Sequence, residues 1–264
     1  MPSWRRGERS RKSERPRRDL NGAVARTALV TGTDSQGMGQ AIARTLAREG
    51  ADVARVEALS RELSVLGRRA PCIHGDLGDA AIARGVVRQA IEALGGVGIA
   101  VCNAGMIQRT PFLDITDTEW DRIHAVNLHG PFAVAQEVAR HMMARGQGGR
   151  IVMVSSINQA LANPNIAHYA ASKDGVMMLA RAMALELAEH AITVNLVAPG
   201  TVETDMNREM LADPAFRRQK LAPVPIGRAG TPEDVAGAVA YLASAEAGYI
   251  TGSTITIDGG LTIP

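Results

Sequence analysis

Aromatic residues are scarce in this chain. Phe, Trp and Tyr make up 3% of 264 residues while 46% are hydrophobic, so any core must be built from Ala, Val, Leu, Ile and Met. Aliphatic packing of that kind suits a buried parallel sheet covered by helices. Cysteine is rarer still. Cys72 and Cys102 each end an apolar run that reads as a strand, and such a pair behaves as reduced, buried small hydrophobes rather than as a disulfide. The six histidines, His74, His124, His129, His141, His168 and His190, show neither HxxxH spacing nor a pairing with cysteine, so no metal site is expected. No run of about 18 uncharged apolar residues occurs, which excludes a membrane-spanning helix, and no secretory h-region opens the chain. A cytoplasmic protein without a membrane partner is expected.

Charge is nearly balanced overall, 29 Lys and Arg against 27 Asp and Glu, but unevenly spread. Residues 1–19 hold eight Arg or Lys and three Asp or Glu, a net of +5, which leaves −3 for the rest. The pI of about 8.7 is therefore a property of the tail. Residues 1–25 read as a basic, disordered segment or as the product of an upstream start, and residues 26–264 as one domain. A basic arm can bind nucleic acid or an anionic surface. The disordered-tail reading is preferred, nucleic acid is not the expected partner, and the acidic residues make the tail a poor transit peptide.

From Arg26 onward, short apolar runs alternate with helical periodicity. Strands are expected at 27–31, 51–55, 71–74, 97–102, 151–155, 193–198 and 254–258. Helices are expected at 38–49, 56–66, 79–94, 117–145, 167–190, 203–220 and 232–244. Strict alternation predicts an α/β fold, a single Rossmann-type doubly wound parallel sheet of about seven strands with helices on both faces. Thr231 before Pro232 and Glu233 is a good N-cap with proline at the first helical position.

Two constellations carry chemistry. Tyr169 and Lys173 are four residues apart at the start of a helix, thirteen residues after Ser156. Residues i and i+4 share a helix face, so phenol and ammonium can occupy one small volume. A tyrosine with an ordinary pKa of about 10 is a poor base at neutral pH until a nearby cation stabilises its phenolate. Ser156 falls at the carboxyl end of a buried strand, where open α/β sheets place their ligands. Alone, this spacing also occurs on ordinary amphipathic helices. The second constellation is Gly32, Gly37 and Gly39 between the first strand and the first helix, where glycine lets backbone amides approach a pyrophosphate at a helix N-terminus.

With both in place, the chain from Arg26 to Pro264 resembles the short-chain dehydrogenase/reductase family. The matching motifs run in order: Thr31-Gly32, Asp76-Leu77, Asn103-Ala104-Gly105, Asn127 in VNLHG, Ser156, Tyr169, Lys173, the NLVAPG run ending at Pro199-Gly200, Gly227-Arg228, TPEDVA from Thr231, and ITGSTITIDGG ending at Gly260. The resemblance implies that Tyr169 is the general acid/base, that Lys173 lowers its pKa and binds the nicotinamide ribose, and that Ser156 orients the substrate oxygen. It implies that Asn127 fixes the neighbouring helix and holds a water that links Lys173 to solvent. Gly32, Gly37, Met38 and Gly39 would cradle the pyrophosphate, Asp76 and Leu77 would meet the adenine, and Asn103, Ala104 and Gly105 would line the adenosine side. Pro199, Gly200, Val202 and Thr204 would hold the nicotinamide. Singly, Asn127 also reads as a helix break, Asp76 as a turn residue and Pro199-Gly200 as a strand exit.

The chain departs from the family twice. The glycine loop reads TGxxxxGxG, one residue longer than TGxxxGxG, and must bulge. After Ala54, Arg55-Val56-Glu57 passes into the next helix several residues early. Glu57, 25 residues after Gly32, is near the spacing at which an acid binds the adenosine ribose 2′-hydroxyl, which favours NAD(H) slightly over NADP(H). Glu57 also reads as a first-turn helix residue, and Arg55 could accept a 2′-phosphate.

Asn158, Gln159, Asn163 and Asn165 follow Ser156, and amides there suit a polyhydroxylated ligand. Ser156, Asn158 and Tyr169 are the expected substrate contacts. The AHYAASKDG and DGGLTIP segments are similar to bacterial glucose 1-dehydrogenases of the family, which implies hydride transfer between a secondary alcohol of a sugar or polyol and its ketone or lactone. The alternative substrate is a 3-oxoacyl thioester on acyl carrier protein, then a generic ketone or hydroxysteroid. A different class also fits the altered loop: a non-catalytic, cofactor-binding regulator or scaffold. Residues 203–221 read as a lid. The helices at 117–145 and 167–190 carry more apolar residues than one sheet face buries, and the resemblance implies a homo-oligomer, a tetramer built on a four-helix interface.

Overall fold

A computed structural model describes residues 27–33, 36–54, 60–205 and 207–263. Six parallel strands form one sheet, in the order β2-β1-β3-β4-β5-β6: β1 Thr27–Val30, β2 Asp52–Ala54, β3 Ile99–Cys102, β4 Gly149–Val154, β5 Ile192–Pro199 and β6 Thr254–Ile257. Nine α-helices join them among the described residues: α1 Met38–Arg48, α2 Ser60–Val65, α3 Ala80–Leu94, α4 Asp117–His124, α5 Gly130–Arg145, α6 Ala167–Leu187, α7 Arg208–Ala212, α8 Pro214–Leu221 and α9 Pro232–Ala243.

Side chains leave a strand alternately to its two faces, and the two cores follow that period. Ile151 and Met153 of β4 pack with α3, α5 and α6. Val152 and Val154 pack with α1 and α9 on the other side. Every residue of β4 and β5 is buried, as expected of central parallel strands covered on both faces. Local chemistry sets the helix ends. The Asp79 carboxylate accepts from the amides of Ala81 and Ile82 to start α3, and Gly95, at φ 74°, ends it. Thr231 and Asp234 form a reciprocal capping box at α9, with Pro232 in its first turn.

Three expectations need correction. Among the described residues the sheet has six strands, because residues 71–74 form a lone bridge at Cys72 rather than a strand. Ile73 is buried there, and the chain just before it meets β2 where the Val53 amide donates to the Arg69 carbonyl at 3.0 Å. The expected helix 117–145 contains a π-helical stretch, Ala125–His129, between α4 and α5. The expected helix 203–220 is two short helices, because the Asp213 carboxylate caps α8 at Pro214 and so ends α7.

The chain runs from β1 outward to β2 and then back across to β3, so connections diverge at the carboxyl ends of β1 and β3. That divergence opens the crevice in which doubly wound sheets bind ligands.

Candidate active site

A cavity of about 500 Å³ occupies the crevice. Gly32, Gly37, Met38 and Gly39 line it from the β1–α1 loop, Asp76 and Leu77 from the segment before α3, and Asn103 to Met106 from the end of β3. Tyr169, Lys173 and Thr204 complete the wall. Of the expected cofactor residues, the structure does not bring Pro199, Gly200 or Val202 to this wall. Gly200 is held instead by packing: a β-carbon there would lie 2.7 Å from Cβ of Asp258. Val202 bridges to Gly230. Glu57, like Arg55 and the loop residues Asp34 and Ser35, lies outside the described residues.

The glycine loop is shaped by close approach. Gly32 adopts φ 67° and faces the backbone of Ala104, whose Cα would be 2.7 Å from an added β-carbon. A β-carbon on Gly39 would collide with the carbonyl oxygen of Gly32. Thr31 and Asn103 join the loop to the β3 turn. The Thr31 hydroxyl accepts from the amides of Asn103 at 3.0 Å and Ala104 at 3.1 Å, and Asn103 Nδ2 donates to the carbonyls of Thr31 and Gly32. Among the described residues no side chain caps α1 at Gly37, which leaves its first-turn amides to an anion. The extended loop is also tied across the cleft, where the Gln36 amide donates to Asp205 Oδ2 at 2.7 Å.

The residues present fit a dinucleotide. A glycine cradle that a β-carbon would fill, an uncapped helix N-terminus, and the buried Asn103 Oδ1, which has no partner among the described residues, together offer anion donors and a free acceptor in one crevice. Asp76 sits at the same end. Its carboxylate accepts from the Gly78 amide at 2.9 Å and from Arg122 at 3.1 Å, and these two contacts, the amide first, hold its pKa below the ordinary value. The turn-residue reading of Asp76 therefore also holds. Arg122 lines the cavity too and was not singled out in the sequence, where it is one more cation on an amphipathic helix.

At the other end, α6 delivers Tyr169 and Lys173 together. Lys173 is buried and its Nζ donates to the carbonyl of Val154 at 3.1 Å, lying 5.7 Å from the centre of the Tyr169 ring. Ser156 follows the end of β4, and its hydroxyl accepts from the Asn158 amide at 3.2 Å. The same hydroxyl donates to Asn158 Oδ1 at 3.3 Å, and Ser156 acts to lower the Tyr169 pKa. Asn127 is wholly buried in the π-helical stretch. It accepts from the Met106 amide at 2.8 Å and donates to the Met106 carbonyl at 2.8 Å and to Ser172 at 3.2 Å. One side chain thereby locks the β3 turn to α6.

The electrostatics correct one expectation. Burial pushes the Tyr169 phenol above its ordinary pKa, and Ser156 only offsets part of that rise. Burial also pulls the Lys173 ammonium down to about 8. Desolvation opposes the charged form of both groups, so in the free site it outweighs the stabilisation of phenolate by ammonium expected from the spacing.

On the substrate side, Asn158 is half-buried and its Nδ2 donates to the Leu161 carbonyl at 3.0 Å. Asn165 is an exposed turn residue at φ 64°, a left-handed conformation that Asn tolerates. Gln159 ends the 3-10 turn that follows Ser156, and its Oε1 is buried without a partner among the described residues.

Comparison with known proteins accords with this geometry. The family model described as enoyl-(acyl carrier protein) reductase matches residues 32–262. The chain belongs to the short-chain dehydrogenase/reductase family. An L-rhamnose 1-dehydrogenase (NAD(P)(+)) of Sphingomonas sp. strain SKA58 is 39% identical over 90% of this chain and 96% of its own. The 3beta-hydroxysteroid dehydrogenase 1 of Eggerthella lenta is 38% identical over 93% of this chain and 95% of its own. Among solved structures, a gluconate 5-dehydrogenase from Burkholderia cenocepacia in complex with NADP and tartrate is 37% identical, covers 94% of this chain and 98% of its own, and has a TM-score of 0.87. This short-chain oxidoreductase has no helix, among the described residues, long and apolar enough to cross a membrane.

Proposed function

We propose that this short-chain dehydrogenase/reductase interconverts a secondary alcohol of a sugar or polyol with its ketone or lactone, using a nicotinamide dinucleotide. The observation that carries the reading is the assembly of Tyr169 and Lys173 on one cavity wall opposite a glycine cradle. The dinucleotide, when bound, supplies the hydride acceptor or donor. The chain's own groups handle the proton and the geometry. Ser156 holds the substrate oxygen, Tyr169 takes or returns the proton at that oxygen, and Lys173 stabilises the phenolate and binds the nicotinamide ribose. Asn127 fixes the turn and helix on which they sit and holds the water that links Lys173 to solvent. Met38 and Leu77 flank the dinucleotide beside Gly32, Gly37, Gly39, Asp76 and residues 103–105; Pro199, Gly200 and Val202 support Thr204 at the nicotinamide end.

The amides Asn158 and Gln159 that follow Ser156 favour a ligand rich in hydroxyls, because a site built to bond a hydroxyl rejects an analogue that lacks it. The Sphingomonas and Burkholderia relatives named for a sugar and a sugar acid support the same class. The carboxylate of Glu57 favours NAD(H) over NADP(H). The second reading is a 3-oxoacyl thioester; the family-model description shares with it only the acyl carrier protein thioester.

The protein works in the cytoplasm as a homotetramer of the single domain 26–264. Exposed Met178, Leu185 and Met143 on α6 and α5 support association. A panel of sugars, polyols, hydroxysteroids and 3-hydroxyacyl thioesters, run with NAD and NADP side by side, tests the assignment. Turnover of an acyl thioester alone would replace the sugar reading, and a monomeric mass by light scattering would remove the tetramer.

A further inference from the structure

A partly buried cluster beside the active site takes no part in the chemistry above. The loop after β3 begins on the cavity wall with residues 103–106 and runs on to Thr110, whose amide donates to the Asn165 carbonyl at 2.9 Å. The Thr110 hydroxyl donates to the carboxylate of Glu119. Glu119 lies in the first turn of α4 with its side chain 11% exposed, and its Oε1 is 3.4 Å from Nε2 of His168. His168 is wholly buried and immediately precedes Tyr169 in α6. Nε2 meets Glu119 as a close contact only, and neither ring nitrogen has a hydrogen-bond partner among the described residues.

A carboxylate and an imidazole are costly to bury unless each meets the other, and buried polar pairs that persist fix one arrangement of the elements they join. Here the elements are the substrate-side loop, α4 and the first turn of α6. No side-chain cap secures the start of α6 at Ile166, so its rotation must be set by other contacts. Consecutive residues on a helix project about 100° apart. A His168 ring held against Glu119 therefore sets the direction in which the next residue, Tyr169, presents its phenol.

We propose that Thr110, Glu119 and His168 are positioning residues for the reaction. Glu119 couples the substrate-side loop to the first turn of α6, and so fixes the separation between the substrate wall and the Tyr169 hydroxyl. The inference rests on the reading of Tyr169 as the acid/base. It differs from that reading in placing three residues, none of which touches substrate, in control of alcohol geometry and not of dinucleotide binding.

Thr110→Val, Thr110→Ser and Glu119→Gln in the full chain test it, with Tyr169→Phe measured alongside. Thr110→Val and Glu119→Gln are expected to lower kcat/KM for the alcohol roughly 10-fold, as small misplacements of reacting groups do, with the dinucleotide KM within about 2-fold. Thr110→Ser restores activity because it keeps the hydroxyl. Hydrogen exchange on the free proteins should quicken in residues 106–115 and 167–169 and stay unchanged in α1. A purely structural cluster would instead lower the melting temperature and leave kcat and both KM values per folded site unaltered, which overturns the inference. Equal damage to alcohol and dinucleotide KM also overturns it, as a general distortion. If Tyr169→Phe retains turnover, the acid/base reading fails and this inference with it; if Tyr169→Phe is dead while Thr110→Val and Glu119→Gln are normal, only the positioning role fails.

Discussion

The two ends of the cavity are held by different physics. At the catalytic end, buried side chains bond across elements: Asn127 ties the β3 turn to α6, and Lys173 donates to the last residue of β4. At the adenosine end, backbone shape does most of the holding, through glycines at which a β-carbon would collide with the opposing chain. The first arrangement is specific in residue identity and intolerant of chemical change. The second is specific in the absence of side chains, and it carries both departures from the family pattern, the longer glycine loop and the shortened stretch after β2. Substitutions at the two ends should therefore fail in different ways.

Removing the charge at the catalytic end breaks the comparison most sharply. Lys173→Met is expected to lower turnover roughly 10³-fold, within the range for losing an acid–base partner, while raising stability. The folded pKa of Lys173 lies at about 8, below the 10.5 of a free lysine. The unfolded chain thus holds the extra proton between those values, and wild-type stability rises with pH across that window. At pH 7 the buried ammonium costs on the order of 3 kcal/mol. After loss of the hydrogen bond to Val154, the variant should gain about 1–2 kcal/mol. Melting curves at pH 7 and pH 10 check this, since the variant's advantage should shrink at the higher pH.

Gly39→Ala probes the adenosine end. The collision with the Gly32 carbonyl should cost about 1–3 kcal/mol of stability and weaken dinucleotide binding, with kcat at saturating dinucleotide nearly intact. Fluorescence titration and a melting curve separate the two effects. A smaller change is expected in the pH profile. Oxidation needs the Tyr169 phenolate, whose pKa is raised by burial and partly restored by Ser156, so kcat/KM for the alcohol should climb with pH through the alkaline range. In residual Ser156→Ala activity the climb should move to still higher pH. Smallest of all, Asn165→Gly should leave kcat and KM within about 2-fold, because Asn165 is an exposed residue at φ 64° that glycine adopts without strain.

The same contrast governs what could be read from the sequence. The centre of the fold was legible because β4 and β5 are buried throughout, and the apolar stretches 151–154 and 196–198 mark them despite Arg150, Thr193 and Asn195. Residues 71–74 look like such a run, yet strand pairing requires a neighbour, which local sequence does not display. The π-helical stretch at 125–129 is invisible to periodicity because apolar residues continue across it. The end of α7 had a signal in Asp213-Pro214, a capping acid followed by proline. The closeness of Tyr169 and Lys173 was legible from their spacing, while Ser156 and Asn127 were legible from the order of motifs. Arg122 and the Thr110–Glu119–His168 cluster were not, since each is an ordinary residue until folding brings distant segments together. Burial likewise could not be read at Tyr169, and it reverses the direction expected for its pKa.

The central claim is that Tyr169 performs proton transfer at the substrate oxygen in a site whose dinucleotide grip is built elsewhere. Tyr169→Phe, measured for alcohol turnover and for dinucleotide dissociation constant on the same preparation, tests it most directly. Turnover should fall by about 10²–10⁴-fold while the dissociation constant stays within about 3-fold of wild type. Turnover retained by the phenylalanine variant would contradict the account.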